Sequence, residues 1–373
     1  MASKDRDRPH LLFAPYYKWG GSSEFVRAVT LAQAAQRRWP AATIEFLLPG
    51  GAETRHDCPF PVTFNDMHLD KPSRISFLNR EISERRPHLV IFDCYSHPAV
   101  LDQCRAVGAR AAYVADQPGT CKRAFEWPWL WRLDAHWQQR PYLTLQAFTH
   151  GQQLLSAISS TRRAIFDTYF DDQIPDLRSL PPEIQTRLDQ PFALLVPGGG
   201  GYRVDGRYVG DIFHAAAERL HAATGLDAIT VLGPLHQGPI PEGRTLAIKA
   251  LNLPQLLALM QRARIIVTNG ATGALHQALA CGAACVASPL GGSDQPERIR
   301  RYARAGLLLA AAPEAAALAK AAERLLTAEG DPIRERVSAL KPVNGIPLMI
   351  RLIDEQLQLR GVSTASGAGK PLP

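Results

Sequence analysis

The sequence predicts an α/β protein built from two Rossmann-like domains that face each other across a cleft. Its 373 residues are about two and a half times an ordinary domain length, which favours two domains. Residues 11–38 and 192–225 open in the same way, with an apolar strand-like run, a glycine turn and a helix-like segment. A strand, a loop and a helix in this order are typical of the start of an α/β domain.

Further apolar runs alternate with helical segments along both halves. Each run is continuously apolar, as expected for parallel strands that are buried on both faces and joined by helical crossovers. The predicted strands are TIEFLL (43–48), HLVIFD (88–93), RAAYVAD (110–116), AITVLG (228–233), TLAIKA (245–250), ARIIVTN (263–269) and AACVASP (283–289).

Composition changes mark the domain boundaries. The stretch 171–191 has four prolines and no long apolar run, so we interpret it as a linker between an N-terminal domain (1–170) and a C-terminal domain (192–345). Residues 346–360 predict a C-terminal helix. The small and polar tail 361–373 is expected to be disordered.

Charge and cysteine usage exclude several classes of protein. The net charge of +7 comes from scattered basic residues without a Lys/Arg-rich block, so we expect no nucleic-acid partner. The six cysteines form no CxxC pair, which favours free thiols in a reducing cytoplasm. The sequence has neither an apolar run long enough to span a membrane nor a secretory signal core.

Two glycine-bearing strand ends are candidate phosphate sites, because ligands bind at the carboxyl ends of parallel strands and helix N-termini favour anions. The alternatives are a turn that needs small residues for packing and a flexible surface loop. Neither site has the spacing of a nicotinamide dinucleotide fingerprint or of a P-loop. The candidate residues are Gly199 and Gly200 at the first site, and Asn269, Gly270, Ala271, Thr272, Gly273 and Ala274 at the second.

Asp294 and Gln295 follow the predicted strand AACVASP. A carboxylate beside an amide can hydrogen-bond the neighbouring hydroxyl groups of a sugar. The alternative is an ordinary turn in which Asp294 caps the next helix.

Residues 245–306 resemble the donor-binding domain of GT-B glycosyltransferases, most closely the peptidoglycan lipid-intermediate N-acetylglucosaminyltransferases and the UDP-glycosyltransferase group. The matching stretch reads NLPQLLALMQRARIIVTNGATGALHQALACGAACVASPLGGSDQPERIRRYARAG. The resemblance implies a GT-B fold, a nucleotide-sugar donor as substrate, no cofactor, and a C-terminal helix packed back on the N-terminal domain. The family's ribose-binding acid falls on Gln277, and a histidine of the plant-type members falls on Asn269.

The N-terminal half carries weaker marks of the same resemblance. Asp116-Gln117-Pro118 is similar to a Glu-Gln-Asn signature of the lipid-intermediate enzymes. The first loop, which we interpret as contacting the acceptor, is similar to their Gly-Gly-His turn. Matching the pattern of a related nucleotide-sugar hydrolase puts Glu24 on its histidine and Arg27 on its arginine. The loop residues are Gly20, Gly21 and Ser22.

Glycosyl transfer needs a base, and Glu24, Asp116 and Asp93 are the candidates. For Glu24 the alternative is a first-turn acid favoured by the helix dipole. The glycine-turn amides would stabilise the leaving diphosphate, so no metal is expected, and no HExxH motif or closely spaced His/Cys cluster appears in the sequence.

Three functional interpretations stay open. The first is an inverting, metal-independent transferase that moves a sugar from a UDP- or dTDP-sugar to an unidentified acceptor hydroxyl. The second is a nucleotide-sugar hydrolase or epimerase. The third is a catalytically degenerate GT-B partner protein. The tryptophans of residues 124–132 either line an acceptor pocket, touch the inner face of the membrane peripherally, or pack in the core. The sequence leaves the oligomeric state unknown.

Overall fold

The computed structural model describes most of the chain. The candidate acceptor-loop residues Gly20, Gly21 and Ser22 lie outside the described residues, as does the tail 361–373. The described ranges are 8–17, 23–50, 58–66, 70–140, 148–170, 177–291 and 293–358.

The N-terminal half forms a parallel sheet, seven-stranded within the described residues, in the order β3-β2-β1-β4-β5-β6-β7. Its strands are β1 (His10–Pro15), β2 (Thr43–Pro49), β3 (Val62–Asn65), β4 (Leu89–Asp93), β5 (Arg110–Ala115), β6 (Ala135–Gln139) and β7 (Arg162–Phe166).

Helices cover both faces of this sheet. Helix α2 begins after Asp70, whose carboxylate accepts a hydrogen bond from the Ser73 amide at 2.8 Å, a side-chain cap that fixes its start. The helices are α1 (Ser23–Arg38), α2 (Lys71–Arg85), α3 (Pro98–Ala106), α4 (Pro118–Arg123), α5 (Trp127–Leu130) and α6 (His150–Ile158).

The C-terminal half forms a second parallel sheet, six-stranded in the described part of the chain, in the order β12-β11-β8-β13-β14-β15. A small antiparallel pair, β9 with β10, lies beside it. The strands are β8 (Phe192–Val196), β9 (Arg203–Val204), β10 (Arg207–Tyr208), β11 (Asp227–Val231), β12 (Leu246–Ile248), β13 (Ile265–Asn269), β14 (Cys285–Ser288) and β15 (Leu308–Ala310).

Local signals explain where several C-terminal helices begin and end. Helix α8 ends at Gly225, which adopts a left-handed φ of 72° that other residues rarely take. Asn252 and Gln255 form a reciprocal capping box at the start of α9. The helices are α7 (Pro182–Gln185), α8 (Val209–Thr224), α9 (Leu253–Arg262), α10 (Thr272–Ala280), α11 (Gln295–Arg304), α12 (Ala315–Leu326), α13 (Asp331–Ser338) and α14 (Gly345–Gln358).

The fold class predicted from the sequence is confirmed, because each half is a parallel sheet with helical crossovers in the strand order of doubly wound domains. Each predicted strand run coincides with a strand of one of the sheets. Four strands of the two parallel sheets, β3, β6, β7 and β15, were not predicted. Two of these, β6 (AHWQQ) and β7 (RRAIF), are not continuous apolar runs.

Three segments connect the two halves. Helix α14 contributes Ile346, Met349, Leu352, Ile353 and Leu357 to the N-terminal core. Thr168 pairs with Asn344 in an isolated parallel bridge. From the predicted linker 171–191, Leu180 and Ile184 are buried in the C-terminal core. Among the described residues, no helix has the length and apolar character needed to cross a bilayer.

Candidate functional site

In each domain the strand order reverses beside the first strand, which leaves a crevice at the carboxyl edge of the sheet. The N-terminal crevice lies between β1 and β4, and the C-terminal crevice lies between β8 and β13. Asp93 ends β4 and Asn269 ends β13, so both lie at these crevices. The candidate residues of the two halves therefore stand at the edges where ligands of such sheets bind.

Arg27 of α1 is the centre of a buried charge network. Its guanidinium donates to both carboxylate oxygens of Asp93, at 2.6 and 2.8 Å, and to Oε1 of Gln139 at 2.5 Å. The side chain is 1% exposed. Burial alone would lower the pKa of Arg27, but Asp93 and Asp116 outweigh it and raise the pKa well above its usual value. Arg27 is therefore a permanent buried cation.

Asp116 follows β5 and joins this network from the next strand. One carboxylate oxygen accepts two hydrogen bonds from Arg27, each 3.3 Å, and the other accepts from the Cys94 thiol at 3.2 Å. Its side chain is 4% exposed. Cys94 itself has a left-handed φ of 63°, an uncommon conformation for a residue with a side chain. Both oxygens of Asp116 thus already have donors.

Glu24 lies in the first turn of α1, and its side chain is half-buried beside the same network. The Ser23 hydroxyl donates to its carboxylate at 3.0 Å. Burial and the nearby charge of Asp116 raise the pKa of Glu24 from 4.5 to about 7, although Arg27 opposes the shift. A carboxylate that titrates near neutrality can take up a proton during a reaction.

Glu24, Cys94 and Asp116 also have the spacing of a metal site, since their potential ligand atoms lie within 4.8 Å of one another. The guanidinium of Arg27 is 3.7 Å from the Cys94 sulfur and 3.3 Å from Asp116. Burial first, and Asp116 second, raise the pKa of the Cys94 thiol, which favours its protonated form. These three side chains therefore fit a cluster whose negative charge is balanced by Arg27 better than they fit a metal centre.

The N-terminal turn of α10 approaches the start of α1 from the other domain. A Cβ atom placed on Gly273 would be 3.0 Å from the Tyr169 hydroxyl and 3.7 Å from Cβ of Ser23. The Tyr169 hydroxyl in turn donates to the Ser23 carbonyl at 3.2 Å. The glycine therefore permits the close approach between the start of α1, where Ser23 precedes Glu24, and the start of α10, where the first amides have no acceptor within the helix.

Asn269 ties the two glycine loops of the C-terminal domain together. Its side chain donates to the Pro197 carbonyl at 3.0 Å and accepts from the Ala271 amide at 3.2 Å. A Cβ atom on Gly198, which has a φ of 91°, would be 2.4 Å from the Asn269 side chain. Gly200 and Gly233 likewise pack backbone against backbone. These contacts give the glycine loop a packing role whether or not it also contacts phosphate.

Gln277 lies on the buried side of α10. Its side-chain amide donates to the Tyr169 carbonyl of the N-terminal domain at 3.3 Å, and the residue is 3% exposed. In this structure, the residue that we expected near a ribose therefore connects the two domains.

Asp294 and Gln295 occupy the start of α11, after β14. Gln295 accepts a hydrogen bond from the Leu290 amide at 2.7 Å, which closes the loop between strand and helix. Asp294 pairs with Arg298, and Arg298 also donates to the Gly270 carbonyl at 2.5 Å. The predicted sugar-binding pair thus lies beside the predicted phosphate-binding turn.

The structure adds Tyr202, which the sequence analysis missed. Its ring packs on Gly291, where a Cβ atom would be 2.4 Å from a ring carbon. Burial raises the pKa of Tyr202, with smaller contributions from Glu24 and Asp294, one acid from each half of the candidate site. The aromatic residue directly after the four glycines was the signal that could have identified it.

The tryptophan segment is divided between interior and surface. The Trp129 indole donates to the Ser96 hydroxyl at 2.9 Å, and its ring packs against the buried core of the N-terminal domain. Trp127 and Trp131 are exposed, with ring centroids 6.0 Å apart. Of the three tryptophans, only Trp129 therefore packs in the core.

Solved structures similar to this chain are glycosyltransferases. The calicheamicin glycosyltransferase CalG4 is 17% identical, with 94% of this chain and 98% of that chain covered and a TM-score of 0.59. The spinosyn forosaminyltransferase SpnP is 16% identical, with 93% and 99% covered and a TM-score of 0.61. UGT2 of Phytolacca americana, complexed with UDP-2-fluoro-glucose and pterostilbene, is 12% identical, with 94% and 99% covered and a TM-score of 0.62.

These similarities extend over nearly the whole chain and confirm the GT-B fold. At such low identity they show the fold alone. No protein-family model and no curated protein matches the sequence. The narrower resemblance to the peptidoglycan enzymes therefore stays a prediction.

Proposed function

We propose that this protein transfers a sugar from a nucleotide-activated donor to an acceptor hydroxyl, with Glu24 as the general base. The observation that carries the proposal is the position of Glu24. Its pKa is raised to about 7, and the residue before it, Ser23, lies next to Gly273 in the N-terminal turn of α10, across the domain interface. A base and an anion-binding helix terminus are the two groups that such a reaction needs on opposite sides of the sugar.

The proposed reaction is a single displacement. The acceptor oxygen attacks the anomeric carbon while its proton passes to the Glu24 carboxylate. The bond between the anomeric carbon and the diphosphate oxygen breaks, and its electron pair stays on the nucleoside diphosphate. Because attack and departure occur on opposite faces of the sugar, the anomeric configuration inverts.

The departing diphosphate gains negative charge, and the turn 269–274 is where we expect that charge to be stabilised. The first amides of α10 and the helix dipole favour an anion there. Asp294 and Gln295, at the start of the neighbouring helix α11, are the proposed contacts of the donor sugar, and Gln277 is that of the ribose. A domain opening that breaks the Gln277–Tyr169 hydrogen bond would free this side chain for a nucleotide.

Asp93 and Asp116 are poor alternatives for the base. Asp93 is 2% exposed and is held by two hydrogen bonds from Arg27. Both carboxylate oxygens of Asp116 already accept hydrogen bonds, one from Cys94 and the other from Arg27. Arg27 also supplies the positive charge that a metal would otherwise bring to this cluster. This supports a metal-independent reaction. The two aspartates would then hold Arg27 in place and influence the pKa of Glu24.

A uridine or thymidine diphosphate sugar is the proposed donor. The similarity of residues 245–306 to the donor domains of UDP-glycosyltransferases supports this class. One structure of the same fold is described as a complex with UDP-2-fluoro-glucose. The acceptor is defined here only as a hydroxyl compound.

A panel of UDP-, dTDP- and GDP-sugars, incubated with the purified protein with and without hydroxyl acceptors, tests the proposal. We expect release of nucleoside diphosphate that depends on acceptor, persists in EDTA, and gives a product of inverted anomeric configuration by NMR. Release without acceptor would instead identify a hydrolase. Donor binding without any turnover would identify a degenerate partner protein.

A further inference from the structure

The described part of the chain exposes several large apolar side chains, and four of them are grouped on one side of the N-terminal domain. Trp127 is 74% exposed, Leu154 is 65%, Ile158 is 55% and Trp131 is 36%. Leu154 and Ile158 are four residues apart and so share one face of α6, a helix with no buried residue. We call this group the tryptophan–α6 surface.

Contacts beneath these side chains hold α5 and α6 together. The rings of Phe125 and Phe148 are 5.6 Å apart. Arg163 lies 4.4 Å from the Phe125 ring centroid and donates to the hydroxyls of Ser156 and Ser159. The Thr161 hydroxyl donates to the Leu130 carbonyl at 3.1 Å. The two exposed apolar pairs are therefore neighbours on one structured surface.

The stretch of sequence that forms this surface has an excess of basic residues. Residues 117–163 contain six Lys or Arg against two acids, and α6 has no charged side chain apart from the histidine at its start. Asp134 is paired with Arg110, and Arg132 is paired with Asp102, so the excess comes from the other basic residues. Apolar side chains in a basic stretch of the chain complement a partner that has an apolar layer beneath anionic groups.

We propose that the tryptophan–α6 surface docks on the headgroup region of an anionic lipid bilayer. Tryptophan indoles favour the membrane–water interface because they combine an apolar ring with an N–H donor. Leu154 and Ile158 would enter the same layer, and nearby Lys and Arg side chains would contact anionic headgroups. The proposal is independent of the catalytic function, since none of these residues belongs to the candidate active site.

Sedimentation of the full-length chain with lipid vesicles tests the proposal. We expect binding to vesicles of phosphatidylcholine mixed with phosphatidylglycerol, little binding to pure phosphatidylcholine, and a blue shift of tryptophan emission on binding. Binding should weaken when salt rises from about 0.1 M to about 1 M, because the Debye length falls from about 10 Å to about 3 Å.

Two double variants locate the contact. Trp127→Ser with Trp131→Ser, and separately Leu154→Ser with Ile158→Ser, should each reduce partitioning at least about tenfold. The matched control is Ile240→Ser, which removes a side chain that is 50% exposed on the C-terminal domain and should change nothing. Thermal melting of each variant checks that it is folded, as expected for exposed positions.

Absence of vesicle binding, equal binding to neutral and anionic vesicles, or unchanged binding of both double variants would overturn the proposal. A concentration-dependent dimer that the same variants dissociate would also overturn it, because a second copy of the chain would then cover this surface.

Discussion

The carboxyl groups of Glu24 and Asp116 approach each other within 4.8 Å, although the two residues are 92 positions apart and lie in different elements. Arg27 is hydrogen-bonded to Asp116, so that carboxylate is compensated. Burial first, and the nearby charge of Asp116 second, raise the pKa of Glu24 to about 7, and Arg27 offsets this only in part. This difference between two neighbouring acids leads to the first three predictions.

The pH dependence of activity should report Glu24. Because the deprotonated carboxylate is the base, kcat/KM should rise with pH and level off above a pKa of about 7. Asp116→Asn removes the second largest cause of the raised pKa and should move this limb to lower pH. Rate profiles of the two proteins, measured with one donor and one acceptor, check the shift. If the pH at which kcat/KM levels off does not change, Asp116 does not influence the pKa of the base.

Glu24→Gln should lower kcat about a hundred- to ten-thousand-fold while leaving donor affinity nearly unchanged. The amide keeps the size of the side chain and can still accept the Ser23 hydrogen bond, but it has no basicity. Steady-state kinetics and donor titration measure the two effects separately. If the variant keeps more than about a tenth of the wild-type kcat, the base is another group.

The same substitution should stabilise the protein at alkaline pH. The pKa of Glu24 is higher in the folded protein than its ordinary value of 4.5, so the folded state binds the proton more tightly than the unfolded chain. Stability from this group is complete below pH 4.5 and is lost as pH rises through about 7. Glu24→Gln removes that loss.

We expect the Glu24→Gln variant to exceed the wild type by about 1–3 kcal/mol in unfolding free energy at pH 8, and to match it near pH 4.5. Urea unfolding at the two pH values provides the measurement. A variant less stable than the wild type at pH 8 would show that the Glu24 carboxylate is stabilising when charged.

Ala271→Glu should weaken nucleotide binding by about a hundredfold or more, since it places a carboxylate at the N-cap of α10, where we expect the diphosphate. Ala271→Gln is the matched control, with the same length and no charge. Calorimetric titration with UDP and dTDP measures both. Equal affinities in the two variants would move the diphosphate away from this turn.

Arg27→Met should destabilise the fold by about 3–5 kcal/mol, because it leaves Asp93 and Asp116 buried without their cation. Asp93→Asn with Arg27→Met should recover part of that loss, since one unpaired charge is then removed. Denaturant unfolding of the single and double variants checks the coupling. Additive losses would mean that the Arg27–Asp93 pair is not an energetic unit.

The sequence by itself determined the α/β class and the existence of two similar halves. Continuous apolar runs such as β4 and β13 are typical of strands buried on both faces of a parallel sheet, and the helical periodicity between them predicts crossovers. Strand β6 was missed because it buries His136, Gln138 and Gln139 rather than aliphatic residues, and β7 was missed because it begins with two arginines and buries only Phe166 fully. A buried polar side chain is explained by its partners, which local pattern does not reveal.

Only the tertiary structure decided which candidate residues work together. Arg27 meets Asp93 and Asp116, 66 and 89 positions away, because three different elements converge at one sheet edge. Gln277 meets a backbone carbonyl of the other domain, so an expected ligand contact is also a domain contact. These pairings depend on distances set by the packing of whole domains, and the charge state of Glu24 depends on them in turn. A periodic sequence pattern specifies which faces are buried, but not which charges are brought together.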